Sequence, residues 1–249
     1  MIENPKVNVG TGWWCSDEDS PWRIGTARAK RAEFFEIWNR QVRNCLSPDR
    51  IVIVDSASPI KCPVSENEGD TVIIPLDRNY GHANDIRTGK ILTHFCGFTR
   101  SVMMSAMYAL SCDADIYVYV EQDCLLFGKK FLSAALDEIS EDIILGHPTQ
   151  RGRGLFGRVA APMLQQSLMI VRRTGLPRFI DGLASAPWTD GEQSPEETMR
   201  LRLPPYGLLA VSCGKSRPVD FTLKHFYVAA FSDEELDQAL ALVSVTPQD

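Results

Sequence analysis

The chain has 249 residues, 44% of them apolar and 23% charged, which is an ordinary soluble-domain composition with enough length to bury a substantial core. A formal charge of −6 excludes general binding to nucleic acid or to anionic membrane. Seven cysteines without a C-x-x-C pair argue against a disulfide framework or structural zinc site, and no apolar run reaches the roughly 18 residues that span a bilayer.

The start, Met1 to Pro5, lacks the charged and apolar regions of a signal peptide, so a cytoplasmic protein is expected. Lys6 to Val9 predicts a short first strand that ends in a Gly10-Thr11-Gly12 turn, followed by Trp13-Trp14. Glycines there let backbone approach a ligand, with the tryptophans as a flat face for a base; the same residues also make a tight turn beside core aromatics. From about residue 26 to 46, Phe34, Phe35, Ile37, Trp38, Val42, Cys45 and Leu46 recur at the spacing of an amphipathic helix.

Ile51 to Val54 reads as a buried second strand, and the polar turn Asp55-Ser56-Ala57-Ser58-Pro59 follows it. Asp55 either accepts a hydrogen bond from a nucleobase or caps its own turn. Val72 to Pro75 predicts a third strand, and the loop Arg78-Asn79-Tyr80-Gly81-His82-Ala83-Asn84 after it has a makeup that suits a diphosphate. Arg100 either pairs with that diphosphate or makes a surface ion pair. Val102, Met103, Ala106, Met107 and Leu110 share a helical face that belongs to the core.

Ile116 to Val120 is apolar on both faces, the pattern of a strand inside a covered sheet. It runs into Glu121-Gln122-Asp123, two carboxylates at the end of a strand where α/β folds bind ligands. They point to metal or phosphate chemistry, or else open a solvated loop. A helix near 129–139 and a strand Ile143 to Gly146 continue the pattern. Gln150 to Arg158 is cationic and glycine-rich, either a loop that folds over an anionic ligand or a plain connection. Gln166 to Val171 is a further strand, and Trp188 to Gln193 a loop. Ser194 then reads as a helix N-cap with Pro195 at the first helical position and Glu197 closing a capping box. Val219 to Val228 predicts a late strand carrying Lys224-His225, and Ser232 to Val243 a helix boxed by Ser232 and Glu235. Strands alternating with helices predict an α/β fold: one domain with a mostly parallel central sheet covered by helices on both faces. Neither G-x-G-x-x-G after the first strand nor G-x-x-x-x-G-K-[ST] occurs, which argues against a dinucleotide enzyme or P-loop NTPase.

In order, the glycine pair, Asp55, the Glu-x-Asp element, the acidic pair Glu196-Glu197 and a late His225 resemble GT-A nucleotide-sugar glycosyltransferases, and family 2-like inverting enzymes in particular. The resemblance covers most of the chain and implies a nucleotide-sugar-binding half at 1–126 and an acceptor-binding, catalytic half at 127–249. Glu121-Gln122-Asp123 looks like the D-x-D motif, which implies Asp123 as a ligand of Mn²⁺ or Mg²⁺, Glu121 facing the ribose or the metal shell, and His225 completing the metal site. It also implies Asp55 at the donor base and Glu197 as catalytic base, with Glu196 and Asp190 in reserve. Gly10, Thr11, Asn79, Arg100 and Gln122 complete the expected donor-binding set. The donor expected is a nucleoside diphosphate sugar, UDP-linked by preference and dTDP- or GDP-linked otherwise. The acceptor expected is a hydroxyl of a saccharide or glycolipid, in a setting such as polysaccharide biosynthesis. Three departures stand out: Glu opens the D-x-D element, Asp55-Ser56 replaces a pair of acids, and Glu-Glu replaces Glu-Asp. A retaining transferase and a non-catalytic nucleotide- or glycan-binding module are the alternatives. A nucleotidyltransferase is disfavoured because that family's glycine-rich opening, with its Arg and downstream Lys, is missing.

Overall fold

The computed structural model describes residues 4–16, 28, 32–64, 69–81, 83, 88, 90–149, 163–185, 189–215 and 219–245. The elements in order are β1 (Val7–Trp13), α1 (Ala32–Leu46), β2 (Arg50–Asp55), β3 (Thr71–Pro75), α2 (Gly97–Ser111), β4 (Ile116–Val120), β5 (Cys124–Phe127) and α3 (Phe131–Asp137). They continue as β6 (Ile143–Thr149), β7 (Met163–Arg172), α4 (Leu176–Ala184), α5 (Pro195–Arg202), β8 (Gly207–Leu208), β9 (Phe226–Ala229) and α6 (Asp233–Val245). Strands order as β3-β2-β1-β4-β7-β6-β8 in one sheet, with β5 and β9 in a separate ribbon. Strands β3, β2, β1 and β4 are mutually parallel, β7 runs antiparallel to β4 and to β6, and β8 is parallel to β6. The expected α/β architecture with a mostly parallel sheet is therefore found.

Alternation along β4 shows how the sheet is covered. Ile116, Val118 and Val120 join the cluster that includes Phe35 and Trp38 of α1 and Phe131 of α3. Tyr117 and Tyr119 face the opposite layer, with Val102 and Ala106 of α2 and Phe179 of α4. All five are buried, as a strand buried on both faces requires.

The first expected turn is not a turn. β1 runs straight through Gly10, Thr11 and Gly12 to Trp13. The glycines are there because α2 lies on them. A Cβ at Gly10 would sit 2.3 Å from Ser105 Oγ and 2.8 Å from the Tyr117 hydroxyl, and one at Gly12 would sit 2.9 Å from Ser101 Oγ. The serine and tyrosine hydroxyls meet in the space so created, Ser105 with Tyr117 and Ser101 with Tyr119, each at 2.7 Å. Trp13 is core rather than a base-stacking face. Its indole N–H donates to the Ile60 carbonyl at 2.9 Å and its ring packs edge-on against Phe35.

The late strand is also shorter than expected. Residues 219–225 form turns, and only Phe226–Ala229 is strand, paired antiparallel with β5. Helix α6 opens with the reciprocal box anticipated: Ser232 N–H donates to Glu235 Oε2 at 2.8 Å, and Glu235 N–H to Ser232 Oγ at 3.2 Å. The expected loop Gln150–Arg158, together with His82, Asn84 and Trp188, lies outside the described residues.

Candidate functional site at the carboxyl edge of the sheet

Parallel pairing puts the ends of four strands on one edge. Trp13 is in register with Asp55, and Asp55 with Pro75, while β4 ends beside β1 at Val120. The Glu-Gln-Asp element is the turn that leaves this edge: Cys124 N–H donates to the Glu121 carbonyl at 2.9 Å, so Gln122 and Asp123 occupy the corner before β5.

Gln122 does structural work. Its Oε1 accepts from Trp14 N–H at 2.8 Å and its Nε2 donates to the Trp14 carbonyl at 3.0 Å, which continues the β1–β4 pairing past the last strand residue. Through both ends of its amide Gln122, expected among the donor-binding residues, clasps the two strand ends together. Glu121 is anchored on the other side of the corner. Its backbone N–H donates to the Ser167 carbonyl of β7 at 2.9 Å, Ser167 Oγ donates to its Oε2, and its own carbonyl accepts from the Trp38 indole at 2.9 Å. Asp123, the next acid along, is half-buried.

Asp55 is 3% exposed and held by its neighbours. Its Oδ1 accepts from Ser58 N–H at 2.7 Å and its Oδ2 pairs with Lys61 Nζ at 3.0 Å. The turn-capping reading is what the structure displays. Gly10 and Thr11 are buried strand residues, so their expected donor contact loses the turn on which it rested. Asn79 accepts from Gly81 N–H at 2.8 Å and shapes the loop after β3. Arg100 projects from the first turn of α2 to the same place. Its guanidinium lies 3.6 Å over the Tyr80 ring, with Arg78 on that ring at 4.9 Å, and it donates to the Phe95 carbonyl and to Thr93 Oγ1, both at 3.0 Å. Tyr80 N–H is tied to Ser56 Oγ at 3.2 Å, so this cationic stack sits beside the end of β2. Tyr80 and Ser167 were not singled out in the sequence. A tyrosine beside an arginine was visible there, whereas nothing marked Ser167.

The metal set does not assemble as expected. The β5–β9 ribbon pairs Cys124 with Ala229 and Phe127 with Phe226. Ala229 and Ala230 therefore stand at the Asp123 end of the ribbon. His225 stands at the other end against Gly128, about five residues from Asp123 or roughly 16 Å of strand. Gly128 has φ +102°, and a Cβ there would lie 2.3 Å from His225 Nδ1. Burial and the charges of Lys224 and Lys130 hold the His225 imidazole below its usual pKa. Among the described residues no three His, Cys, Asp or Glu side chains converge to hold a metal. His225, expected as a metal ligand, stands at the end of the ribbon beside Gly128. The carboxylates of Glu121 and Asp123 remain: hard oxygen ligands of the number that Mg²⁺ or Mn²⁺ takes when phosphates and water fill its other positions.

The acids of α5 divide. Ser194 Oγ accepts from Glu197 N–H at 3.3 Å, which is the N-cap anticipated. The reciprocal half of the box is replaced by a fork, in which Arg200 Nε and NH2 donate to the two Glu197 oxygens at 2.9 and 2.5 Å. Arg200 keeps the Glu197 carboxyl below its usual pKa, and the pair is close to half exposed. Glu196 is half-buried and makes no hydrogen bond or ion pair among the described residues. Asp190, in the loop before α5, is tied to the start of α2: its Oδ2 accepts from Cys96 N–H at 2.7 Å, and its own N–H donates to the His94 carbonyl at 2.9 Å. Burial and this carboxylate push the Cys96 thiol up to about 12.

No protein-family model matches the sequence, and no curated protein matches it. Solved structures do. A mannosyltransferase from Pyrobaculum calidifontis in complex with GDP-Man and Mn²⁺ superposes with a TM-score of 0.52 at 16% identity, over 92% of this chain and 58% of that one. A putative glucose-1-phosphate thymidylyltransferase from Bacillus anthracis superposes at 0.54 and 9% identity, over 98% and 97%. Residues 1–349 of TarS from S. aureus, in complex with UDP, reach 0.49 at 15% identity, over 96% and 64%. The chain thus spans less than two thirds of the two glycosyltransferase chains and nearly all of the thymidylyltransferase. At these identities the likeness is one of fold, the GT-A-type fold of nucleotide-sugar enzymes.

Proposed function

We propose that the chain is a glycosyltransferase that moves a sugar from a nucleoside diphosphate donor, with a divalent cation at Glu121 and Asp123, to a hydroxyl of a saccharide or glycoconjugate. The observation that carries this reading is the corner Glu121-Gln122-Asp123. The Gln122 amide pins it to Trp14, Ser167 orients Glu121, and the two acids are left at the junction of β1 and β4 on the ligand-binding edge. The Pyrobaculum mannosyltransferase, of the same fold, was solved with GDP-Man and Mn²⁺, which supports a nucleotide-sugar donor and a metal here. The bound cation would supply charge neutralisation to the departing diphosphate.

The chain's own residues support the rest. Arg100, braced on Tyr80 and on the Phe95 carbonyl, presents a fixed guanidinium beside the end of β2, where it suits a phosphate oxygen. Asp55, through Ser58 N–H and Lys61, fixes the turn that would border the nucleobase. An inverting displacement also needs a carboxylate that takes the acceptor proton, and the segment from Asp190 to Glu197 carries four, Asp190, Glu192, Glu196 and Glu197, leading into α5. A nucleotidyltransferase is the second reading, favoured by the near-complete overlap with the thymidylyltransferase chain. The course of β1 weighs against it: Gly10 and Gly12 lie in a strand beneath α2, where they cannot wrap phosphates.

The test is a thermal-shift screen of UDP, dTDP and GDP and their sugar conjugates, with and without Mn²⁺. A ligand that binds the native state alone raises the midpoint, so the largest shift identifies the base. Asp123→Ala is expected to erase the Mn²⁺-dependent part of that shift. A chain that no nucleotide stabilises, with or without metal, would refute the donor-site assignment.

A further inference from the structure

The end of the β5–β9 ribbon away from Asp123 gathers positive charge in a chain whose formal charge is −6. Two turns meet there. Phe131 N–H donates to the Gly128 carbonyl at 2.9 Å, which makes Lys129 and Lys130 the corner residues of the turn that leaves β5. Lys224 and His225 lead from the other turn into β9. The last ribbon pair, Phe127 with Phe226, fixes the turns side by side: its rings stack with centroids 4.5 Å apart, and Phe221 meets Phe226 edge-on at 5.7 Å. Gly128 lets the approach be close. At φ +102° and without a side chain it leaves room for His225 Nδ1 and the Lys224 carbonyl, which a Cβ would meet at 2.3 and 2.6 Å.

What these groups lack is a counter-charge. Lys130 and Lys224 are exposed, and their ammonium groups make no hydrogen bond or ion pair among the described residues. His225 Nδ1 is buried with no hydrogen-bond partner there either. The charges that bear on the imidazole are those of Lys224, its chain neighbour, and Lys130, from the turn before α3; with burial they hold its pKa down, and no carboxylate among the described residues offsets them. Asp220, the acid nearest to Lys224 in sequence, spends Oδ1 on the Thr222 N–H and hydroxyl at 2.9 and 2.6 Å. Like charges gathered without an acid repel one another, and an anion that met them would gain from each.

We propose that Lys130, Lys224 and His225 form an oxyanion site for a phosphate group, separate from the donor edge. Phosphate has oxygens enough to accept from each ammonium and from a ring N–H of His225. A bound anion cancels the lysine field that keeps a second proton off the imidazole, so His225 joins as a third cation. About five residues of strand, roughly 16 Å, separate the site from Asp123, too far for it to hold the diphosphate of a donor bound at that corner. The site therefore stands independently of the glycosyl-transfer reading. The same chemistry recognises a free phosphate and the phosphate of a lipid headgroup, and the test separates the two.

The imidazole is its own reporter. Its proton NMR signal, identified among the four histidines by its absence from His225→Ala, is titrated in chloride and in inorganic phosphate at equal ionic strength. Phosphate is expected to raise the His225 pKa. Lys130→Gln and Lys224→Gln change exposed side chains, so both variants should fold. Each is expected to weaken phosphate roughly 3- to 5-fold, the worth of an exposed ion pair, and the double variant to lose most of the response. In chloride the same substitutions should raise the pKa by themselves, because the field that depresses it is gone. Asp123→Ala is expected to keep the full phosphate response, which separates this site from the donor edge whatever binds there. Sedimentation with vesicles of phosphatidylcholine, alone or mixed with phosphatidylglycerol, finds the source. Binding to the mixed vesicles that the double variant loses assigns the site to a headgroup, and a phosphate response without vesicle binding assigns it to a free ligand. A response to neither phosphate nor mixed vesicles, or one of equal size in the double variant, would overturn the proposal.

Discussion

At the scale of single residues, the glycines of β1 show how one atom decides between two readings of a sequence. Gly-Thr-Gly after a short apolar run looks like a loop that admits a ligand, but the space is filled from inside by Ser105 and Tyr117. Gly10→Ala would place a methyl 2.3 Å from Ser105 Oγ and 2.6 Å from its Cβ, so strand or helix must shift. We expect a loss of about 1–3 kcal/mol, the usual cost of overpacking, read as a lower midpoint in chemical denaturation. Pairing it with Ser105→Gly should recover part of that loss, since the two Ser105 atoms go and the Tyr117 hydroxyl, at 2.8 Å, is left to shift. Gln122 has the same lesson. Gln122→Leu leaves Trp14 N–H and carbonyl without their partners, and we expect about 1–3 kcal/mol of destabilisation.

At the scale of elements, what was legible depended on whether the signal was local. The N-caps at Ser194 and Ser232 and the fully buried β4 are written in consecutive residues, and all three were readable. The length of β1, the shortness of β9 and the partner of Glu197 depend on what packs across the chain or on which of two nearby charges a carboxylate prefers. Arg200, three residues on, offered Glu197 a two-pronged charged partner in place of the single N–H of a capping box. A second long-range pair was equally invisible: Arg43 of α1 forks to Asp70 just before β3, with bonds of 2.5 and 2.9 Å. The guanidinium keeps the Asp70 carboxyl below its usual value. The folded pKa is thus lower than the unfolded one. The contribution is complete above the unfolded value near ~3.9 and is lost as pH falls through the folded one. With both side chains about a third exposed, Asp70→Asn should cost only about 0.5–1 kcal/mol at pH 7. The gap to wild type should close in urea melts run progressively below pH 4.

For the whole molecule, the resemblance anticipated the fold, and the β5–β9 ribbon sets where the late histidine stands. Family order put a late histidine beside the metal acids. In this chain the strand that pairs with β5 begins at Phe226, immediately after His225, so the imidazole lies at the Gly128 end and Ala229–Ala230 face the Asp123 end. Family order alone does not fix the bounds or register of an antiparallel pair, and a shift of five residues is enough to move a side chain across the ribbon. Two properties should therefore separate on mutation. His225→Ala is expected to leave the Mn²⁺-dependent part of the nucleotide thermal shift intact, whereas Asp123→Ala removes it. A donor at 100 times its dissociation constant would stabilise by about 2.7 kcal/mol, or roughly 5–10 °C for a domain of this size, ample range for the comparison. The same histidine should instead govern the acid side of the stability profile. Its folded pKa lies below the ordinary 6.5 because of burial and the charges of Lys224 and Lys130. Between those two values the unfolded chain binds more protons, so stability falls as pH drops from about 6.5 toward the folded pKa. In His225→Ala that component is absent, and the midpoint should decline less over this window than in wild type. A histidine that instead shared the metal with Asp123 would lose the Mn²⁺-dependent shift on the same substitution, so thermal scans at pH 7.5 and 5.5, with and without Mn²⁺, decide between the two ends of the ribbon.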